Sequence, residues 1–429
     1  MPNPFNMDAL SRRDALKLTI GGTTALWLGS SLGALAQAAT TIKASWYGGQ
    51  EVHNAMQKAI ALFTEQNPDI KVDVEFAPFA EFYDRLPVQY SGGGAPDVHR
   101  HSMTYLFDYV KRGLLADLSP YIGSTIDITS LYPGVVEIGK DGDQIHAIGN
   151  NQIATALFYN KAKVEAAGGI ENLTWDGFHD LASKLGKDAG ANHWGTNDGG
   201  GFIGFLETFV TQRGKSLYSA DNKLGFEKQD LIDWLAFWQK MRDDQGAPPP
   251  SVTAESAGFQ NAPLVKGTAA MQVGWSQQIV FYQALMQDEL NVRPVPIPEG
   301  AKDNGHLIRA LDFWVIPESS QHKDQAAKLV NFLLNDPKGL EILGLTLGGP
   351  ASDKATEILG KTADAPSKKV LDYLTELRKT APSATPRWIS GHGELESLLG
   401  RLNSSVGFAQ TTPEAAADNF FSEADRILA

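Results

Sequence analysis

The chain has 429 residues, no cysteine and a formal net charge of −13. The missing cysteine excludes disulfides, thiolate metal sites, a cysteine nucleophile and acylation at an N-terminal cysteine. The acidity, with no Lys/Arg-rich run to offset it, excludes non-specific binding of nucleic acid through phosphate contacts and otherwise reads as a solubility feature.

The first 38 residues read as an address. Ser11-Arg12-Arg13-Asp14-Ala15-Leu16-Lys17 precedes a mildly apolar stretch from Leu18 to Ala36, and Ala36-Gln37-Ala38 follows as a small-residue cleavage site. This order is that of a secretory signal, and the paired arginines narrow it to a twin-arginine signal. Ala15 departs from the bulky apolar residue usual there, which leaves the general route open. Glycines, threonines and serines dilute the apolar stretch, making it a poor membrane span. The expectation is export to a periplasm, cleavage near Ala38 and no lipid anchor. Residues 1–38 carry three basic and two acidic side chains, so the remainder stands at −14. Its length of about 390 residues exceeds the roughly 250–300 that one hydrophobic core supports, so two lobes are expected.

Thr41–Tyr47 reads as a strand and His53–Gln66 as a helix, with Met56, Ala59, Ile60 and Phe63 at helical spacing. Ile70, Val72, Val74 and Phe76 alternate with polar neighbours, as in a strand with one buried face. A further helix leads to Gly92-Gly93-Gly94-Ala95-Pro96, then a short strand Asp97–His101 and a helix Met103–Arg112. This alternation predicts an α/β protein with a parallel sheet and helices on both faces. Further on, Thr174 caps a helix from Trp175 to Leu185, and Gly195–Gly204 reads as a loop. Leu231–Met241 and Gln325–Leu334 read as helices, Val292–Ile297 and Ala310–Ile316 as strands, and the C-terminal third as helical.

Few motifs invite chemistry. Gly92–Pro96 lacks the Gly-Lys-Ser/Thr that a phosphate loop needs. Gly274-Trp275-Ser276-Gln277 lacks the second glycine of a nucleophile elbow. His99 and His101 share one face of a strand, open to metal binding, ligand hydrogen bonding or packing. Carboxylates are numerous, so a paired-carboxylate glycosidase stays open on counting alone. Of the nine tryptophans, Trp234 and Trp238 at i, i+4 read as core, as does Trp175. Trp46, Trp275, Trp314 and Trp388 are candidates for a flat apolar platform with a polar edge.

Six ordered landmarks carry a resemblance over about Thr41 to Leu428. They are Gly92-Gly93-Gly94-Ala95-Pro96-Asp97-Val98, Gly113-Leu114-Leu115-Ala116-Asp117-Leu118, Leu157-Phe158-Tyr159-Asn160-Lys161, Leu173-Thr174-Trp175-Asp176-Gly177-Phe178, Lys266-Gly267-Thr268-Ala269-Ala270-Met271 and Pro413-Glu414-Ala415-Ala416. In this order the chain resembles the sugar-binding extracellular solute-binding proteins of ABC importers, family 1, maltose-binding-protein-like. The resemblance implies a two-lobe periplasmic binding protein of type II with an interlobe ligand cleft. Its three hinge crossovers would fall near Ala147–Ala154, Pro298–His306 and Gly339–Gly349. Lobe 1 would be 39–150 plus 303–342, and lobe 2 would be 151–302 plus 343–429.

The resemblance further implies a monomer without cofactor or catalysis that binds a sugar or sugar derivative and delivers it to a membrane permease. Trp46, His101 and Thr104 would serve lobe 1, and Asn151, Gln152, Trp275 and Trp388 lobe 2. Asp312 and Trp314 on one strand, and Arg387 beside Trp388, complete the ligand set with Arg100. Arg100 departs from the neutral-sugar pattern. In the cleft, it or Arg387 would point to glycerol phosphate or an acidic sugar, because guanidinium pairs with phosphate and carboxylate. A secreted polysaccharide-degrading enzyme is the rival of another class.

Overall fold

The computed structural model describes residues 39–171, 173–301, 303–381 and 386–429. The export signal expected in residues 1–38 lies outside the described residues. The strands are β1 (Thr40–Tyr47), β2 (Ile70–Ala77), β3 (Val98–Ser102), β4 (Lys140–Asp141), β5 (Gln144–Ile145), β6 (Ile148–Gly149), β7 (Thr155–Asn160), β8 (Met271–Trp275), β9 (Leu290–Arg293) and β10 (Asp312–Val315). The helices are α1 (Gln50–Gln66), α2 (Phe79–Ser91), α3 (Met103–Lys111), α4 (Pro133–Glu137), α5 (Lys161–Ala166), α6 (Trp175–Ala189), α7 (Ile203–Gln212) and α8 (Lys228–Asp243). They continue as α9 (Pro250–Ala254), α10 (Gln278–Ala284), α11 (Lys323–Asn335), α12 (Pro337–Leu343), α13 (Asp353–Thr362), α14 (Ala365–Arg378), α15 (His392–Gly407) and α16 (Pro413–Ile427). Among the described residues no helix is long and apolar enough to cross a membrane.

Two sheets divide the fold. The first runs β2-β1-β3-β10-β6, and the second runs β8-β7-β9. β1 pairs in parallel with β2 and β3, as the βα alternation predicts, but β10 is antiparallel to both β3 and β6. The parallel expectation holds for β1–β3, and the returning β10 makes the sheet mixed. The reason is topological: Asp312, the first residue of β10, pairs with Ser102, the last of β3, so the returning chain enters at the end where β3 leaves. The second sheet is wholly antiparallel.

Side-chain parity decides the core of lobe 1. Ile42, Ala44 and Trp46 point together into a cluster with Met56, Phe63 and Phe332 from the α1 and α11 side. Trp314 joins the same cluster. On the opposite face, Phe313 and Val315 pack with Phe82, Leu106 and Tyr109 from α2 and α3. Lobe 2 is built on an aromatic cluster. Trp234 sits 5.8 Å from Trp175, 5.4 Å from Phe205 and 5.8 Å from Trp238, ring centre to ring centre. The Trp234 indole N–H donates to the Gly200 carbonyl at 2.7 Å, which anchors the glycine-rich loop to the core. Thr174 caps α6 through its hydroxyl, which accepts from the Gly177 N–H at 3.1 Å.

Three segments cross between the sheets side by side. Gln152 N–H donates to the Gly349 carbonyl at 2.9 Å and Gly349 N–H returns the bond at 3.1 Å. Ile153 and Arg309 exchange the same pair of bonds at 2.9 and 3.1 Å. A three-strand strap of this kind resists sliding but allows bending, which suits a hinge.

His99 and His101 do share a face of β3, and that face is core. Both are fully buried. The Arg100 carbonyl can only accept, so His99 Nδ1 donates to it at 3.0 Å and Nε2 accepts from the Tyr90 hydroxyl at 2.8 Å, fixing a neutral ring. The His101 ring packs 4.6 Å from Tyr109 and 5.6 Å from Tyr83. His101, expected in the ligand set, lies buried against these rings with both ring nitrogens unpartnered among the described residues. Among the described residues no group of three or more metal-ligand side chains converges.

Burial holds His99 and His306 down to about 4, and drives His101 and His392 well below the usual histidine range. The unfolded chain, with histidines near 6.5, binds these protons first, so stability is complete above pH 6.5 and is lost as pH falls toward 4. Urea titrations across that interval are expected to show a steady fall in midpoint, reduced in His99→Asn.

Candidate functional site: the seam between the lobes

The deepest part of the seam is a buried polar knot. Asp312, at the start of β10, takes the Arg100 guanidinium at 2.7 Å, the Asn151 amide at 2.7 Å and the Tyr47 hydroxyl on its two carboxylate oxygens. Arg100 also donates to the carbonyls of Tyr47 and Leu347, each at 3.2 Å. Asn151 donates to the Leu347 carbonyl at 2.7 Å and accepts from the Leu311 N–H at 3.1 Å. One carboxylate therefore joins the first sheet to all three crossing segments. Desolvation opposes the charge on Arg100, but Asp312 together with Tyr47 and Tyr83 outweighs this and raises its pKa.

This geometry reassigns several expected ligand residues. Asn151 and Asp312 are engaged within the protein, as are both Arg100 Nη atoms, while Arg100 Nε is buried without a partner among the described residues. Gln152 sits in the crossing strap and accepts from the Arg378 Nε at 3.2 Å. Trp46 and Trp314 belong to the core of lobe 1 rather than to the seam, because each shares strand parity with the apolar face. Arg387 lies at the outer edge, where it donates to the Lys140 carbonyl at 2.9 Å and pairs with Asp141 at 3.4 Å.

Above the knot lies a second cluster, contributed by lobe 2. Glu207 on α7 pairs with Arg309 of the second crossing segment at 2.8 Å, both side chains almost fully buried. The Trp388 indole N–H donates to the other Glu207 oxygen at 3.1 Å. The Trp388 ring stacks on His392 at 3.8 Å and 11°, and Arg309 stands 5.3 Å from its centre. His392 Nδ1 meets the Tyr218 hydroxyl at 2.6 Å. Arg309 Nη1 and His392 Nε2 are buried without a partner among the described residues. Trp388, expected in the cleft, is only 2 % exposed.

Lobe 1 faces this cluster through α3. Asp108 accepts from the Ser390 hydroxyl at 2.6 Å and the Gly391 N–H at 3.0 Å. Gly393 abuts the Tyr105 ring and the Thr104 methyl so closely that a Cβ there would overlap the ring. Thr104 thus stands at the seam. Tyr105 continues into an aromatic wall, 4.3 Å from Tyr83, which lies 5.0 Å from Phe79. Tyr47 closes the wall, 5.0 Å from Phe79. Ser102 shapes it from below: its N–H donates to the Tyr83 hydroxyl at 2.6 Å and its own hydroxyl caps α3. Phe79 is 43 % exposed, and Tyr83 and Tyr105 are partly open. On lobe 2, Trp275 pairs with Thr155 at the hinge end of the second sheet and meets Phe202 edge-on at 4.9 Å. Both rings are partly open.

Sequence reasoning missed Phe79, Tyr83, Tyr105, Phe202, Glu207 and Tyr218. The aromatic pair Phe79/Tyr83 at i, i+4 was the available signal, but it also fits ordinary packing.

With this geometry in hand, the chain belongs to the bacterial extracellular solute-binding protein family, which its residues 49–339 match. It is a two-lobe α/β binding protein of the maltose-binding-protein-like fold. It is 26 % identical over 416 residues, 90 % of each chain, to an uncharacterized lipoprotein of Streptomyces antibioticus. The fold is similar to that of a periplasmic oligogalacturonide binding protein from Yersinia enterocolitica, solved with saturated digalacturonic acid. That similarity has a TM-score of 0.81 at 23 % identity, covering 90 % of this chain and 98 % of that one. It is also similar to an ABC substrate-binding protein of Listeria monocytogenes, solved with cycloalternan, at TM-score 0.79 and 21 % identity over 90 % and 98 %.

The knot makes its own prediction. Asp312→Ala leaves the Arg100 charge buried and unpaired and is expected to cost about 3–5 kcal/mol, whereas the double variant Arg100→Leu with Asp312→Leu costs less than that single change. Urea unfolding of the two variants beside wild type checks the order.

Proposed function

We propose that this protein is the substrate-binding component of an ABC importer, capturing a saccharide between its lobes and presenting the closed complex to a membrane permease. The single observation that carries the reading is the pair of partly open aromatic surfaces facing one seam. Phe79, Tyr83 and Tyr105 stand on lobe 1, and Phe202 and Trp275 on lobe 2. The same seam holds the unpartnered polar atoms of Arg309 and His392, packed on the Trp388 ring. Flat apolar faces suit sugar C–H groups, and fixed donors suit hydroxyls. The saccharides bound by the Yersinia and Listeria proteins support the same class.

The mechanism is a bend of the three-strand strap. A ligand touching both lobes favours the closed form by its differential affinity for that form. Lobe 1 comprises 39–150 plus 303–342, and lobe 2 comprises 151–302 plus 343–429. The chain binds without turnover. A glycosidase needs two free carboxyl groups facing the sugar, but Glu207 is engaged by Arg309 and Trp388 and Asp108 by Ser390 and Gly391, which leaves Glu396 on α15 without a second free carboxyl. Export through the twin-arginine signal to the periplasm, as a monomer without a lipid tether, completes the proposal. The Streptomyces relative is described as a lipoprotein, so the means of retention is a point on which the two chains differ in this reading.

Intrinsic fluorescence titrated with a saccharide panel is expected to saturate for at least one sugar. Trp275→Ala weakens that affinity about tenfold, equivalent to about 1.4 kcal/mol, while Trp46→Phe in the core leaves it within about twofold. No response to any saccharide refutes the proposal.

A further inference from the structure

The charges at the seam bear on the class of saccharide, an inference that rests on the sugar-binding reading above. Three cations there are already matched by acids, and a fourth, Arg378, is held at the strap by Gln152 and over the Tyr132 ring. Arg100 pairs with Asp312 and Arg309 with Glu207, both pairs deeply buried, while Arg387 pairs with Asp141 at the edge. Asp108 is bound by the 390–391 backbone and Ser390, and it brings no cation with it.

One acid is left over. Glu396 lies on α15, three residues beyond Gly393 and four beyond His392, and so shares the helix face that meets Tyr105. It is half-buried and has no salt-bridge or hydrogen-bond partner among the described residues. The titratable groups around it are Tyr105 and Asp108 on α3, Asp84 on α2, Tyr218 on the facing loop, His392 on its own helix, and the compensated Glu207–Arg309 pair. None supplies an unmatched positive charge, because burial keeps His392 neutral.

We infer that Glu396 is a specificity-determining residue that excludes acidic saccharides, so that the ligand carries no carboxylate or phosphate. A uronate entering the seam meets Asp108 and Glu396 with the guanidiniums of Arg100, Arg309 and Arg387 already paired with acids. A neutral sugar hydroxyl can instead donate to Glu396 and accept from Arg309 Nη1 or His392. This separates the chain from the digalacturonate-bound Yersinia protein despite the shared fold.

Burial raises the Glu396 carboxyl to about 7, so its charge disappears as pH falls from 8 to 6. A uronate stays ionised over that range, and its binding to the form with neutral Glu396 should strengthen about tenfold between pH 8 and pH 6.

The test is calorimetric titration of wild-type protein and Glu396→Gln at pH 8 and pH 6. The probes are two matched pairs, galactobiose with digalacturonate and cellobiose with its diuronate. In the wild type the neutral partner is expected to bind at least tenfold tighter at pH 8, with the gap narrowing about tenfold at pH 6. In Glu396→Gln the gap is expected to be small and independent of pH, and a thermal midpoint within a few degrees of wild type shows that the variant is folded. A uronate that binds the wild type tighter at pH 8, or a gap unchanged by Glu396→Gln, overturns the inference while leaving saccharide binding intact. No binding by any of the four, with none in the fluorescence panel, removes the saccharide reading and this inference together.

Discussion

The structure turns on one carboxylate. Asp312 gathers Arg100, Asn151 and Tyr47, and through Arg100 and Asn151 it holds the Leu347 carbonyl. These groups come from the first sheet and from all three crossing segments, which otherwise share only a few backbone hydrogen bonds. Removing charge from water costs several kcal/mol per ion, and paired geometry offsets that only when every donor is satisfied. The knot therefore specifies position more than it adds stability. It fixes where the hinge strap leaves lobe 1, so that bending is confined to the residues beyond it.

Everything at the seam is placed relative to that fixed point. Arg309 lies three residues before Asp312, pairs with Ile153 in the strap, and carries Glu207 and Trp388 with it. β7 starts two residues after Ile153, which sets Thr155 and its partner Trp275 at the hinge end of the second sheet. On the other side β3 ends at Ser102, whose hydroxyl caps α3 and so aims Tyr105 and Asp108 at α15. The first sheet, the strap and α3 thus present one aromatic wall to the other lobe with little freedom between them. The two lobes close on each other through Asp108 with Ser390 and through Tyr105 with Gly393.

Much of this was legible in the sequence. The alternation of Ile70, Val72 and Val74, the Thr174 cap and the i, i+4 tryptophans 234 and 238 rest on local periodicity, which the sequence carries directly. Strand parity was also available for Trp46, since Ile42 and Ala44 precede it on the same face. Applying that parity puts it in the core, whereas position at a strand end suggested the cleft. The Arg100–Asp312 pair spans 212 residues, and no local pattern announces such a partner. Helix α7 was hidden because Gly199 to Gly204 reads as loop, although Gly204 is helical and gives Trp275 room to approach. The wall of Phe79, Tyr83 and Tyr105 was hidden because aromatic spacing on a helix looks the same whether it faces core or ligand.

The central claim is that a saccharide closes the two lobes about the strap. A cysteine-free chain allows two spin labels without background, at Val88→Cys on lobe 1 and Phe408→Cys on lobe 2, both at exposed positions. Pulsed electron resonance with and without saturating saccharide measures the distance between them. The account predicts a distribution that shifts and narrows toward the closed distance on binding, with a concentration dependence matching the fluorescence titration. An identical distribution in the presence of a saccharide shown to bind would contradict it.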